Sequence, residues 1–242
     1  MLKALINKIL RNFNFQINSY PNSDLNRRIH LIMKMNIDLI FDIGANDGGY
    51  ASQMRELNYN GLIVSFEPLS DIFKKLEKVS EKDPNWIVYN YALGNENGKS
   101  EINIAQNTYS SSILNMLPLH LKSAPESQFI SKENIEIRTF DTLIKDIDLD
   151  LSNRNALLKI DTQGFEKFVL EGAKDNLNLI KVIQMEMSIF ELYQQETLFV
   201  DMINYMDMNG FELFSIENGH SDPITKQLLQ VDGIFINKKF KF

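Results

Sequence analysis

The sequence predicts an α/β protein built on a central, mostly parallel sheet flanked by helices, and three observations carry that expectation. From residue 39 onward, apolar runs of strand length alternate with amphipathic stretches of helical period. The first run, 39–43, stops at Gly44 and passes through a turn rich in Gly, Asn and Asp into a helix start near Gly49. A second run, 62–66, ends in Glu67-Pro68, about 25 residues after Asp42. A strand, a glycine turn, a helix and then an acidic strand end together open a nucleotide-binding α/β unit.

The 242 residues have room for one full core, read as a helical extension over 1–36 and a single globular unit over 37–242. Hydrophobic residues make up 44% and charged residues 24%, the balance of an ordinary globular protein. A net charge of -7 argues against a broad nucleic-acid face, and no DNA partner is expected. The lack of cysteine excludes disulfides, thiolate zinc sites and cysteine nucleophiles. The apolar runs are far too short for a transmembrane segment, and no signal-peptide core precedes a cleavage site, so the expectation is a cytoplasmic enzyme.

Residues 1–15 read as an amphipathic helix, with Leu5, Ile6, Ile9 and Phe13 on one face and Lys8 and Arg11 adding positive charge. Such a helix packs on its own domain or on a second subunit, which allows a homodimer through it; a membrane surface is the alternative. After a loop at 20–24 a second helix runs to about Met35, with Ser23 or Asp24 as its cap.

In the 39–50 unit, the middle position of a dinucleotide fingerprint is Asn46, so a pyrophosphate would meet a side chain. S-adenosylmethionine carries no phosphate. Asp42, the turn residues Gly44, Ala45 and Asn46, and Tyr50 at the helix start are candidates for its amino-acid end. Gly44 lets a ligand approach the backbone, and the helix start offers free N–H groups. Glu67, followed by Pro68, stands where an acidic side chain accepts both ribose hydroxyls. The plain alternative is that Asp42 and Glu67 only cap strand ends.

Further along, 70–80 reads as a helix with Ile72, Phe73, Leu76 and Val79 inward, and 86–91 as a strand. A hairpin turn is expected at 95–98, followed by a short strand at 101–105. Residues 106–132 are the least regular and form a candidate substrate lid. A strand at 135–139 leads to a helix that Asp141 is expected to cap. In the strand 155–161, Leu157, Lys159 and Asp161 share one face. A buried lysine needs a carboxylate, and Glu186 in the strand 182–187 or Glu166 in the helix 165–172 could supply it. Asp161 stands at the carboxyl end of a central strand, where open α/β sheets bind ligands. A helix over 192–209, strands at 211–216 and 231–236, and a polar loop carrying His220 complete the chain.

Four segments resemble the FkbM-type methyltransferases: Phe-Asp-Ile-Gly-Ala-Asn-Asp-Gly at 41–48, Phe-Glu-Pro at 66–68, Asn-Tyr-Ala-Leu-Gly at 90–94, and Leu-Lys-Ile-Asp-Thr-Gln-Gly-Phe-Glu-Lys-Phe-Val-Leu-Glu-Gly-Ala at 158–173. The resemblance runs over roughly 38–235. It implies a Rossmann-like class I methyltransferase fold, S-adenosyl-L-methionine as cofactor, and O-methylation of a hydroxyl on a small-molecule, glycan or natural-product acceptor. It also implies that the backbone at Ala92 and Leu93 meets adenine and that Ser111 and Ser112 approach the acceptor. Where the family commonly has an apolar residue and then Glu, this chain has Thr162-Gln163, so Gln163 brings no charge.

An alcohol must lose its proton during attack, which calls for a positioned base. Asp161 and His220 are the candidates, with Glu186 behind them and Lys159 orienting a carboxylate. Asp141, Asp161, Glu186 and His220 lack compact ligand spacing, and no metal is expected. An RNA methyltransferase and a non-catalytic cofactor-binding scaffold are the two alternative readings.

Overall fold

A computed structural model describes residues 2–240, and the chain divides into two compact units, Met1–Met35 and Asn36–Phe242. In the first unit, α1 (Leu2–Leu10) runs into a short 3-10 turn, and α2 (Ser23–Lys34) follows. Asn7 donates to the Ile17 carbonyl at 2.8 Å and accepts the Ile17 N–H at 2.7 Å, folding the connecting chain back on α1. The cap of α2 is Asn22, not Ser23 or Asp24. Asn22 is the last extended residue, and its side chain accepts the Leu25 N–H at 2.8 Å.

The second unit opens with the expected alternation: β1 (Leu39–Ile43), α3 (Gly49–Glu56), β2 (Leu62–Phe66), α4 (Ser70–Ser80) and β3 (Trp86–Tyr89). All five residues of β1 are buried, the pattern of a strand covered on both faces. β4 (Ala92–Leu93), β5 (Gly98–Ala105), α5 (Pro118–Ser123) and β6 (Phe129–Arg138) come next. They are followed by α6 (Phe140–Asp146), β7 (Ala156–Ile160), α7 (Glu166–Glu171) and β8 (Ile180–Ser188). α8 (Phe199–Met208), β9 (Phe211–Asn218) and β10 (Gln230–Asn237) end the unit.

The main sheet has seven strands in the order β3-β2-β1-β7-β8-β10-β9, mostly parallel, with β10 antiparallel to both neighbours. After β1 the chain winds outward through β2 and β3, and it returns on the other side of β1 as β7. The strand order therefore reverses between β1 and β7, and the crevice outside their carboxyl ends is where such sheets bind ligands. A second sheet, β4-β6-β5, stands apart from the first. Phe41, Phe66, Phe140, Leu158 and Phe235 belong to one continuous core, in which the Phe41 and Phe140 rings meet edge to face at 4.9 Å.

Several boundaries differ from expectation for physical reasons. β6 begins at Phe129, six residues before the apolar pattern suggests, because Ser131, Lys132 and Glu133 pair with β5 through backbone groups, a pairing that needs no apolar side chains. Residues 95–98 are not a hairpin turn: β4 and β5 flank β6 and do not pair with each other. The strand expected over 86–91 ends at Tyr89 as β3, and the next strand, β4, starts at Ala92 and lies in the other sheet. The 192–209 helix starts only at Phe199; before it, the Glu196 carboxylate accepts the N–H groups of Leu192 and Tyr193 and holds a turn. Val79 is exposed on α4, where Ser80 takes the inward position. α6 is capped by Thr139, and Asp141 instead accepts from the Asp175 N–H and from both the N–H and Nδ2 of Asn176. No helix among the described residues is long and apolar enough to cross a membrane.

Arg55, at the end of α3, ties two connections together, α3–β2 and α4–β3. It pairs with Asp83 at 2.6 Å and donates to the carbonyls of Tyr59 (2.8 Å), Gly61 (2.9 Å) and Asn85 (2.9 Å). Arg55→Ala is expected to cost about 2–3 kcal/mol. The urea midpoint should drop with the m-value unchanged.

Candidate active site

The carboxyl ends of β1, β2, β7 and β8 frame a cavity of about 300 Å3. Gly44 forms its floor, Glu67 to Leu69 one side, and Ala92, Leu93 and Phe165 an apolar wall. Asp161, Gln163 and Glu186 stand at the far end, and Tyr109, Ser111 and Ser112 come over from the segment after β5.

Behind the floor lies a buried polar row, set by strand register. Ser65, Asp42, Lys159 and Gln184 are successive cross-strand partners on β2, β1, β7 and β8. Lys159 Nζ sits 3.1 Å from Asp42 Oδ1, 3.5 Å from Asp161 Oδ2 and 3.3 Å from the Gly44 carbonyl. Lys159 therefore pairs with the two aspartates, and not with Glu186 or Glu166 as the sequence suggested. Burial pulls its ammonium down, but the carboxylates of Asp42 and Asp161 outweigh burial and hold it above the ordinary lysine range. Tyr50 packs its ring 5.5 Å from Nζ and bonds Gln184 at 3.4 Å. Asp42, Ala45, Tyr50 and Lys159 do not reach the cavity surface.

The turn after β1 is tight for a reason other than ligand approach. Gly44 has φ +76°, and a Cβ there would collide with the Asp161 carbonyl oxygen. The turn's donors are also committed. The N–H groups of Gly44 and Ala45 go to the Phe66 carbonyl, that of Asn46 to Glu67, that of Asp47 to the Asn46 side chain and that of Gly48 to Ala45. The turn from 44 to 48 thus has no spare N–H for a pyrophosphate.

Glu67 is held rigidly, each oxygen taking one backbone N–H at 2.9 Å, from Asn46 and from Leu69. Burial nevertheless pushes its carboxyl up to about 7. At the other end Asp161 is bonded on both oxygens, by Gln163 Nε2 at 2.9 Å and by Lys159. Glu186 accepts on Oε2 from Gln163 (3.0 Å) and Gln230 (2.7 Å). Burial first, then the charges of Asp161, Glu166 and Asp232, raises Glu186 well above the carboxylate range. Glu166 faces inward beneath the turn, accepting from Thr162 and Gly164, and burial brings it up to about 7.

Ser111 and Ser112 line the cavity, but both hydroxyls have structural partners: Ser111 Oγ accepts the Ala105 N–H, and Ser112 Oγ donates to the Gln163 carbonyl at 2.7 Å. His220 lies elsewhere, its Nε2 2.9 Å from Ser123 Oγ and its ring 6.0 Å from that of His120. Asn46, Pro68, Ala92 and Leu93 are on the cavity wall. The described residues contain no cluster of three or more His, Cys, Asp or Glu able to hold a metal. Sequence reasoning set Gln163 aside and overlooked Gln230 and Tyr109. The available signal was a long polar residue in the turn after a central strand.

Among the residues lining the cavity are three carboxyls, Glu67, Asp161 and Glu186, and no Lys, Arg or His. That set of acceptors fits a ligand with positive charge, a diol and no phosphate, as S-adenosylmethionine has, better than it fits a dinucleotide. The Methyltransferase FkbM domain matches residues 42–213, well over half of the chain. A search among curated proteins finds no match. Among solved structures, a provisionally assigned S-adenosylmethionine-dependent methyltransferase from Listeria monocytogenes is 10% identical, covering 86% of this chain and 96% of that one at a TM-score of 0.48. A Streptococcus pneumoniae protein provisionally assigned as a tRNA (m1A22) methyltransferase is 8% identical, covering 93% and 73% at a TM-score of 0.49. A provisional RNA methyltransferase from Pyrococcus horikoshii is 11% identical, covering 92% and 87% at 0.45. Nothing about this chain's acceptor follows from these likenesses. The chain belongs to the FkbM family of methyltransferases, and S-adenosylmethionine is its methyl donor.

Proposed function

We propose that the chain methylates a hydroxyl of a small polyhydroxylated acceptor, a sugar, glycan or natural product, entering beneath the Tyr109–Ser112 cover. The observation that carries this reading is the pair of carboxyls, Asp161 and Glu186, at one end of a cavity that no cationic side chain lines. A phosphorylated acceptor or an RNA strand would bring negative charge against that pair, which disfavours the RNA reading.

Bound S-adenosylmethionine supplies a methyl group already activated on a positive sulfur. Glu67 would hold its ribose hydroxyls, and the apolar wall of Ala92, Leu93 and Phe165 would take adenine. The remaining work is alignment of the acceptor oxygen and removal of its proton. Glu186 is the better base. Both oxygens of Asp161 are engaged, whereas both donors to Glu186 meet a single oxygen. Burial and the neighbouring carboxyls raise the proton affinity of Glu186, which favours it as the proton acceptor. As the acceptor oxygen bonds to the methyl carbon and the carbon–sulfur bond breaks, Glu186 takes the hydroxyl proton. The products are a methyl ether and S-adenosylhomocysteine, and Glu186 then releases its proton to water. His220, bonded to Ser123 outside the cavity, has no part in this reading.

Calorimetry should show S-adenosylmethionine and S-adenosylhomocysteine binding to the wild type, at least ~10-fold weaker binding to Glu67→Ala, and no binding of NAD. Radiolabelled methyl transfer should reach carbohydrate or natural-product hydroxyls and not total RNA. Glu186→Gln should lower kcat by about 10²–10⁴-fold with donor affinity retained. Wild-type turnover in folded Glu186→Gln would remove Glu186 from the mechanism.

The carboxyls also set a pH dependence. Glu67 and Glu166 rise from 4.5 to about 7 on folding. The folded chain therefore holds more protons than the unfolded chain in that window, so stability falls as pH rises through it. The ligand-free protein should melt at a higher temperature near pH 5.5 than near pH 8, and Glu67→Gln should flatten the difference.

A further inference from the structure

Gln163 stands at the turn after β7, where a left-handed φ of +55° is followed by Gly164 at +92°. A side chain other than glycine persists in that region only when its surroundings hold it. Here they do. Its Nε2 donates to Asp161 Oδ1 at 2.9 Å and to Glu186 Oε2 at 3.0 Å, which uses both amide hydrogens. Its Oε1 accepts the Tyr193 hydroxyl at 2.8 Å, and that hydroxyl also lies 3.0 Å from the Ser110 carbonyl. Its backbone carbonyl accepts Ser112 Oγ at 2.7 Å. One residue therefore touches both carboxyls of the reacting end and, directly or through Tyr193, two residues of the cover.

We infer that Gln163 is a positioning residue, whose carboxamide holds Asp161 and Glu186 as a fixed pair and sets that pair against the cover through Tyr193. The inference rests on the proposed role of the pair in acceptor deprotonation. A primary amide suits the position because it offers two donors and one acceptor without charge. An ionised glutamate of the same length would only accept, and would add a third negative charge. A leucine would fill the space and leave both carboxyls without this donor. With Gln230 on its other side, Glu186 is fixed on Oε2, so the acceptor hydroxyl meets the pair in one geometry. The other titratable groups around the pair are Lys159 on β7, Glu166 on α7, Tyr193 and Glu196 before α8, and Asp232 on β10.

The test is a carbon-13 NMR titration of labelled Asp and Glu carboxyls, which needs no ligand, on the wild type, Gln163→Leu and Gln163→Glu. Thermal midpoints serve as a check on folding, and Glu186→Gln assigns the resonance. Loss of a hydrogen-bond donor should make Glu186 in Gln163→Leu titrate about one unit higher, a tenfold gain in proton affinity. Gln163→Glu should replace the wild-type Glu186 curve with a broadened titration shared with the new carboxyl. Wild-type titration of Glu186 in folded Gln163→Leu would overturn the inference. If that variant does not fold, wild-type curves in Gln163→Glu would do so. Binding of S-adenosylhomocysteine to the wild-type sample tests the reading of the site separately, since the titration reads the pair whether or not the ligand binds.

Discussion

The site depends on a lysine charge held out of water. Removing an ammonium from solvent costs several kcal/mol even after relaxation, and the structure offsets it with two carboxylates and a carbonyl around Lys159. The partners come from both sides of the strand-order reversal, Asp42 from β1 and Asp161 from the end of β7. The ammonium thus draws together the two strand ends between which the cavity opens. The close approach of Gly44 to the Asp161 carbonyl follows from the same convergence. Asp42 acts from beneath the floor, while Asp161 carries the effect of the pairing to the cavity surface.

Elsewhere in the site the carboxylates are held by neutral donors. Backbone amides fix Glu67, and the side-chain amides of Gln163 and Gln230 fix Glu186. A cationic partner would orient a carboxylate equally well and would also cancel its field. Amides orient without cancelling, so the negative potential at the cavity surface stays available for a positively charged methyl donor and for a departing proton.

The parts of the fold that were legible in the sequence are those where burial and local chemistry agree. β1, its glycine turn, α3 and β2 carry apolar strands ended by residues with strong turn preferences, and Glu67 is found where the spacing placed it. The early part of β6 was not legible, because its pairing uses backbone groups under side chains that face solvent. The 192–198 segment has helical composition but is bent by the single Glu196 carboxylate. The partners of Lys159 were misjudged because pairing across parallel strands depends on register, which one strand's pattern does not contain. Gln163 was passed over for its neutrality, although a neutral amide is what two adjacent carboxyls require. His220 shows the reverse case, a residue of catalytic type whose loop leads it to Ser123.

The small sheet β4-β6-β5 has one more consequence. The segment that crosses the cavity, with Tyr109, Ser111 and Ser112, is part of the connection between β5 and β6, whereas Gly44, Glu67 and Asp161 hang from the large sheet. Insertions or exchanges in that connection leave the register of the seven main strands untouched. The cover can therefore change length or composition without disturbing the strand ends that hold Lys159 and its two aspartates.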